Sequence, residues 1–503
     1  MGGGLLQIAA YGAQDVYLTG DPQITFFKVV YRRHTNFSME SIQQHFSSKV
    51  NFGKNDISTT ISRNGDLVNS MFLEVTLPAC PSGCTWIDGV GHRLIKSVRI
   101  NLGGDTIDEH TGRWLEIWDQ LTHDQSMQST YKEMVGDVGG TDATGGSRQK
   151  LFIPLQFWFN RNPGLALPLI ALQYHEVKIV FNFEELKKLV IWNTTSDAEW
   201  CSTMLNTPED NAGSTFTFWN ANLAPSGYND NIADAGDWQG LLDQNAFALD
   251  AKLYVDYIYL DTEERKRFSQ MSHEYLIDQL QIQGKETITT FSHRCRLNFN
   301  HPVKELVWVL EPPEDPANEG YLNGAGTAVT SVFGQFSQDG SMIDTNKYEW
   351  LKNAKLQING HDRFTVRDSR YFRRVQPYMH HTGGPSVPVY CYSFALRPEE
   401  YQPSGTCNFS RIDNAYLEIN LRKYLMDFDY DNLFHASGEW YHKPYYVDST
   451  SLQFSQTGSG ANSLGTMTAA SWLTNAKINL FVHAVSYNVL KIVSGRGGLA
   501  YSN

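Results

Sequence analysis

The chain has 503 residues, which is enough to bury two large hydrophobic cores. It is 41% hydrophobic and 13% aromatic, which excludes a disordered chain. The net charge of −13, from 41 basic and 54 acidic residues, argues against a surface that binds nucleic acid over its whole extent.

The first segment, residues 1–25, is small, polar and Gly-rich, and we interpret it as an N-terminal arm with one short helix near residues 14–18. It lacks a basic n-region and a cleavage site, so we expect no secretory signal. No apolar run approaches the roughly 20 residues that span a bilayer, so we expect no transmembrane insertion. Residues 24–31 are too apolar to lie free, so we expect them to pack against this chain or a neighbour.

Short strands follow the arm, indicated by alternating apolar residues and by β-branched and aromatic content. The first set is predicted over residues 37–46, 67–77, 95–102, 153–159, 177–183 and 251–260. A short helix then begins at Thr262, the predicted N-cap, with Glu263 and Glu264 in its first turn. We place the boundary between the two domains at this helix. The second set of strands is predicted over residues 304–310, 354–358, 389–396, 415–421 and 478–485.

The two sets of strands repeat one pattern in the same order. Alternating strands around Ile100 and Ile358 both run into a Gly-containing turn, and both turns lead to an aromatic-rich segment, residues 114–118 and 371–375. Further along, residues 174–179 correspond to 415–419, and 251–255 correspond to 476–480. A repeat on this scale predicts two similar β domains in tandem, with the two hairpins at equivalent positions.

These observations predict an all-β fold of two tandem eight-stranded antiparallel jelly-roll barrels, with long loop insertions and few short helices. The predicted boundaries are residues 1–25 for the arm, 26–262 for the first jelly roll and 263–503 for the second. Long polar loops at residues 194–240, 312–346 and 434–473 are expected to form an outer crown.

Residue patterns typical of catalysis or metal binding are incomplete. His175-Glu176 and His273-Glu274 lack the second His of a zinc-protease helix. The adjacent acids, such as Glu399-Glu400, point to opposite faces of a strand and do not form a glycosidase pair. Cys80 and Cys84 have no second pair at ligand spacing. We therefore expect no enzymatic activity, no cofactor and no metal.

Two basic clusters and several tryptophans remain. We interpret residues 31–34, which contain Arg32 and Arg33, and the pair Arg373-Arg374 as contacts with carboxylates of neighbouring chains, in preference to nucleic-acid sites. The tryptophans lie in segments predicted as alternating strands, so we assign them to the core and not to sugar-binding platforms. They are Trp114, Trp118, Trp158, Trp308 and Trp350.

Several stretches resemble one protein family over nearly the whole chain. They are residues 11–20, 22–37, 154–159, 167–172, 393–396, 403–405, 408–411, 487–490 and 497–502. These segments are similar to the major capsid protein of nucleocytoplasmic large DNA viruses, and the N-terminal run is the most specific of them. The resemblance implies a double jelly roll whose three copies form a pseudo-hexagonal capsomer that tiles an icosahedral shell.

The resemblance further implies a structural role in the virion capsid, with assembly in the host cytoplasm. The implied partners are other copies of the chain and, beneath the shell, minor capsid or cement proteins and the penton protein, without direct nucleic-acid binding. We assign partner contact to six residues of the arm and of the stretch that follows it: Tyr17, Phe26, Phe27, Tyr31, Arg32 and Arg33. The alternative is a jelly-roll protein that binds carbohydrate or cleaves glycans.

Overall fold

The structure is a computed structural model. It describes residues 3–78, 84–87, 89–136, 149–186, 189–192, 249–288, 290, 292–311, 351–385, 387–421, 443–448, 451–455, 466–468 and 478–501. Two of the predicted long loops, residues 194–240 and 312–346, lie outside the described residues. The third, 434–473, contains a small antiparallel sheet in its described part.

The first half of the chain supplies helices α1 to α6 and strands β1 to β11. The helices are α1 Gly3–Ala9, α2 Val16–Thr19, α3 Val90–Leu94, α4 Gly112–Thr122, α5 Gln125–Val135 and α6 Trp158–Arg161. The strands are β1 Phe37–Gln44, β2 Ile57–Thr60, β3 Leu67–Thr76, β4 Cys84–Trp86, β5 Ile95–Leu102, β6 Asp105–Thr111, β7 Lys150–Pro154, β8 Leu167–Pro168, β9 Val177–Phe183, β10 Val190–Trp192 and β11 Asp250–Leu260.

The second half supplies α7, α8 and β12 to β25. The helices are α7 Thr262–Gln270 and α8 Gln376–His380, which directly follows a π-helical segment, Tyr371–Val375. The strands are β12 His273–Ile288, β13 Ser292–Arg296, β14 Pro302–Glu311, β15 Leu351–Ile358, β16 His361–Asp362, β17 Arg367–Asp368, β18 Val389–Ser393, β19 Cys407–Asn408, β20 Ala415–Leu421, β21 Lys443–Asp448, β22 Ser451–Ser455, β23 Thr466–Thr468, β24 Ile478–Val493 and β25 Arg496–Leu499.

Four antiparallel sheets form two sandwiches. In the first sandwich, sheet 1 has the order β1-β11-β3-β7 and sheet 2 the order β2-β9-β5-β6. Alternating residues of both sheets, among them Leu73 and Leu253 of sheet 1 and Ile100 and Phe181 of sheet 2, share one core. In the second sandwich, sheet 3 has the order β12-β24-β14-β18 and sheet 4 the order β13-β20-β15-β16, around a separate core.

The strands of the two sandwiches correspond one to one in chain order and in position within each sheet. Sheets 1 and 3 each hold the first, third, sixth and eighth strands of their sandwich, and sheets 2 and 4 hold the other four. This is the jelly-roll connectivity, and it confirms the tandem jelly-roll prediction. The sheets stay open at their edges, so each unit is a sandwich and not a closed barrel. Alternation in the sequence defines inward and outward faces but does not specify whether edge strands pair across a corner.

The two glycine hairpins occupy equivalent positions, as the repeat predicts. β5 and β6 are joined by Gly103 and Gly104, with φ of 62° and 108°, and β15 and β16 are joined by Asn359 and Gly360, with φ of 49° and 80°. Both are two-residue turns whose central residues have positive φ, the arrangement that matches the twist of a hairpin.

Several predicted elements differ from the structure. The strand predicted over residues 153–159 ends at Pro154, and α6 follows it. The Phe157 amide donates a hydrogen bond to the side-chain oxygen of Asn160, which turns the chain into this helix. The N-cap of α7 is Asp261, whose carboxylate accepts a hydrogen bond from Thr262. Residues 114–118 belong to the amphipathic helix α4, capped by Thr111. The long strand β12 was absent from the prediction because its many polar residues dilute the alternating pattern.

Candidate assembly surfaces

The N-terminal arm, residues 1–25, and the stretch that follows it up to residue 36 are exposed where the structure describes them. Every residue from 3 to 36 is exposed except Asp15, which is partly buried. Phe26 and Phe27 are 91% and 98% exposed, and Tyr17 and Tyr31 are 92% and 84% exposed. The segment expected to pack against this chain or a neighbour therefore does not pack on this chain. Surface of this kind is a mark of a protein contact site.

All six predicted partner-contact residues are exposed, one in the arm and five in the stretch that follows it. Tyr17 is in α2, Phe26 and Phe27 lie in a turn, and the other three follow in the irregular segment that leads to β1. Arg32 and Arg33 are exposed, so their guanidinium groups are accessible to carboxylates of another molecule. Their role as contacts remains a prediction. The arm also contains α1, an exposed helix of seven residues that the sequence interpretation missed, because the helix is short and begins with two glycines.

The second surface is the joint between the two sandwiches, where α4 of the first lies on the outer face of sheet 3 of the second. The helix begins where Thr111 caps the Trp114 amide, and Gly112 allows its backbone to approach the carbonyl oxygen of His92. Its buried face packs against outward-facing side chains of β14, β18 and β24. The cluster comprises Trp114, Ile117, Trp118, Leu121, Val307, Val309, Val389, Cys391, Phe481 and Val485.

Charged groups surround this apolar joint. Arg113, at the start of α4, forms a two-point ion pair with Glu311 of β14 and stacks over the Phe481 ring at 3.5 Å. Arg161 of α6 lies 4.1 Å over the Trp118 ring and 3.5 Å from Asp278 of β12. Such partly buried pairs fix the relative position of the two sandwiches more than isolated surface pairs do.

A buried ion triad lies at the edge of the joint. His381 Nε2 is 2.9 Å from Glu305 Oε2, and its Nδ1 is 3.0 Å from Glu399 Oε1. Burial by itself lowers the pKa of His381, but the Glu305 carboxylate outweighs it and raises the pKa well above its usual range. The same histidine lowers the pKa of Glu305 against the effect of burial. The next residue, Thr382, donates a hydrogen bond to the carbonyl oxygen of Thr122 at the end of α4.

A second buried histidine of the joint has the opposite environment. His483 of β24 is fully buried, and its ring lies 5.6 Å from that of Trp114. Burial, together with the positive charge of Arg113, lowers its pKa to about 3. His483 is therefore neutral at neutral pH, whereas His381 is charged.

The end of the chain returns to the first sandwich. Leu490 and Ile492, in the second half of β24, belong to the core of the first sandwich together with Ile277 of β12. His175 bonds to the Gly497 carbonyl group at 3.0 Å and so holds β25 in place. The first sandwich therefore depends on residues far away in the sequence, 322 positions in the case of His175 and Gly497, and local patterns do not indicate such a contact.

The residues resembling catalytic motifs have structural partners. His175 contacts Gly497, as described above, and Glu176 forms an ion pair with Lys178. His273 bonds to the Phe268 carbonyl group at 2.7 Å, and Glu274 pairs with Lys491. Within the described ranges, no three His, Cys, Asp or Glu side chains are grouped so as to hold a metal ion. Among the helices that are described, none is both long and apolar enough to cross a membrane.

The remaining residues named from the sequence are the pair Arg373-Arg374, the tryptophans and Cys80. Arg373 is fully buried, so this half of the second basic cluster does not reach another molecule, whereas Arg374 is exposed. Trp114, Trp118, Trp158 and Trp308 are buried, which confirms their assignment to the core. Trp114 and Trp118 lie on α4 and Trp158 lies on α6, so the strand prediction is wrong for these three tryptophans. Trp350 and Cys80 lie outside the described residues.

The tandem jelly rolls, joined through a buried helix and presenting an exposed apolar arm, define a structural subunit built for association. Residues 25–261 match the family described as "Major capsid protein N-terminus". Residues 264–430 match the family described as "Large eukaryotic DNA virus major capsid protein". The chain belongs to this family of major capsid proteins of large DNA viruses.

Individual relatives agree with this assignment. The major capsid protein of Pyramimonas orientalis virus is 41% identical, and the alignment covers 100% of both chains. A solved capsid protein of PBCV-1, VP54, is 36% identical with a TM-score of 0.66, over 95% of this chain and 100% of that one. The Faustovirus major capsid protein shares the fold at 13% identity, with a TM-score of 0.60 over 96% and 94% of the two chains. These relatives favour the capsid interpretation over a carbohydrate-binding or glycan-cleaving protein.

Proposed function

We propose that this chain is the main building block of the shell of a large DNA virus and that three copies form a pseudo-hexagonal capsomer. The observation that carries the proposal is the pair of sandwiches with identical strand order in a chain similar over its full length to major capsid proteins. Two equivalent units per chain give six in a trimer, and a cyclic arrangement of three chains then matches a hexagonal lattice.

The proposed division of labour follows the predicted domains. Residues 26–262 and 263–503 form the two jelly rolls, and the arm, residues 1–25, with the apolar stretch that follows, contacts neighbouring capsomers or minor proteins. The exposure of Phe26, Phe27 and Tyr31 supports this role, because these large apolar side chains are not buried against the described part of their own chain. Exposed aromatic and Arg residues are the types that dominate protein interfaces.

The remaining parts of the proposal concern partners and location. We infer that minor capsid or cement proteins and the penton protein contact the shell from beneath, that assembly takes place in the host cytoplasm, and that the chain acts without catalysis or direct nucleic-acid binding. The net charge of −13 supports the last point, because a phosphate backbone is repelled by an acidic surface.

The mass of the assembled protein tests the trimer. Size-exclusion chromatography with light scattering on the full chain should give a species of three times the chain mass of 57.0 kDa. Obligate interfaces bury more than about 2,000 Å², so the trimer should persist on dilution. A stable monomer at all concentrations would contradict the proposal.

A further inference from the structure

The outer face of sheet 1 and the helical segment 371–380 are the counterparts of the two surfaces that form the joint within the chain. In the joint, a helix between the fifth and sixth strands of one sandwich covers the outer face of the first sheet of the other. The segment 371–380 also lies between the fifth and sixth strands, β16 and β18, of its sandwich. Sheet 1 of the first sandwich is equivalent to sheet 3 of the second sandwich.

The two helical segments can be compared at one offset along the chain, although residues 371–375 are π-helical and α4 is an α-helix. Leu115 of α4 points into the core of the first sandwich, and Phe372, 257 positions later, points into the core of the second. With the same offset, Trp118 corresponds to Val375 and Leu121 to Tyr378. Trp118 and Leu121 are buried against sheet 3, whereas Val375 is 42% and Tyr378 is 88% exposed. The counterparts of Trp114 and Ile117 are Tyr371, which packs against the second core, and Arg374, which is exposed. The uncovered apolar part of the second segment is therefore Val375 and Tyr378.

The outer face of sheet 1 carries an aromatic cluster. Phe72 of β3 stacks on Tyr254 of β11 with ring centroids 5.2 Å apart and lies 6.2 Å from Phe152 of β7. Their neighbours along each strand point into the core, so these three rings point outward, where they are partly exposed. In sheet 3 the corresponding strands β14, β24 and β18 supply the residues that α4 covers.

A second pair of surfaces has the same relation. In the joint, α6, which follows β7, contacts β12 through Arg161 and Asp278. The equivalent segment after β18 exposes Leu396 and Tyr401, and β1, the equivalent of β12, exposes Phe37 and Met39. The two halves of this second contact are thus apolar and exposed.

We propose that segment 371–380 and residues 396–401 of one copy dock on the outer face of sheet 1 and on β1 of a second copy, repeating between chains the joint found within each chain. Each chain then offers one docking helix and one receiving face, which is a head-to-tail contact that closes into a ring. Three chains give six joints of one kind, three within chains and three between them. This inference rests on the proposed trimer and specifies which surfaces form it.

Charge substitutions on the two faces test the proposal by light scattering of the full chain. Tyr378→Glu and Phe37→Glu each place a carboxylate in the proposed contact, and we expect the assembled species to dissociate at least tenfold more readily on dilution. Met127→Glu is the matched control, because Met127 is a 64% exposed residue on helix α5, outside both faces. We expect this control to assemble as the unchanged chain does. Normal assembly of both test variants, or equal loss in the control, would overturn the proposal.

A photo-crosslinking amino acid at position 378 locates the contact directly and does not depend on the substitutions. We expect crosslinks between chains to peptides containing residues 70–76, 150–154 or 250–256. If the unchanged chain is an oligomer and the crosslinks fall on other peptides or are missing, this docking is wrong while the proposed trimer stands. If the unchanged chain is a monomer at every concentration, the proposed function itself fails, and the docking fails with it.

Discussion

The buried neutral histidine of the joint predicts a loss of stability in mild acid. The pKa of His483 is about 3 in the folded protein, because of burial and the nearby Arg113, and about 6.5 in the unfolded chain. As the pH falls below 6.5, the unfolded chain therefore binds a proton that the folded protein does not, and the free energy of unfolding decreases. Between pH 7.5 and pH 5 the loss from this residue is about 2 kcal/mol, at about 1.4 kcal/mol per pH unit below 6.5.

The substitution His483→Gln isolates this contribution. Glutamine does not titrate, so the variant should lose about 2 kcal/mol less than the unchanged chain between pH 7.5 and pH 5. The variant's lower stability at neutral pH does not matter, because the comparison is between two pH dependences. His381 changes the pH dependence in the opposite direction: its raised pKa contributes stability that is complete below pH 6.5 and is lost as the pH rises. That contribution is common to both proteins and cancels.

Urea unfolding at a series of pH values, followed by tryptophan fluorescence, measures the two pH dependences. All samples need one protein concentration, because association adds to apparent stability. Glu305, whose pKa is lowered, begins to lose its contribution only below about pH 4.5, so the window above pH 5 excludes it. Parallel curves for the variant and the unchanged chain would refute the reasoning and would mean that His483 accepts its proton in the folded state.

Three further predictions concern the hairpins, the ion triad and the arm. Gly104→Val and Gly360→Val should each lower the free energy of unfolding by a similar amount, about 1–3 kcal/mol, because both glycines have positive φ and open space around them; clearly unequal losses in urea unfolding would argue against equivalent turns. Glu305→Gln should lower the free energy of unfolding by about 3–5 kcal/mol, because the buried His381 charge then has one partner fewer. A double-mutant cycle with His381→Leu should show strong coupling between the two residues, and additive losses would contradict the pairing. Deleting residues 1–25 should leave the melting temperature and the trimer unchanged but impair assembly of shells in electron micrographs, since these residues are exposed; failure of the truncated chain to fold would place the arm in the core.

The sequence by itself determined the architecture of this protein. Alternation and turn residues located β5, β9 and β20 at their observed bounds, because side-chain period and glycine at positive φ are local properties. The repeated hairpins at Gly104 and Gly360 revealed two equivalent sandwiches, and the apolar stretch around Phe26 indicated a contact segment. Each of these signals lies within a few neighbouring residues of the chain.

The tertiary structure alone decided how the two sandwiches meet. The pattern of residues 114–118 was consistent with a strand, and only the packing of Trp118 and Leu121 on sheet 3 establishes the helix that joins the units. The return of Leu490 into the first core and the environments of His381 and His483 also depend on residues far apart in the sequence. Burial and the charge of distant neighbours set the pKa of each histidine, and neither is encoded in the local pattern around it.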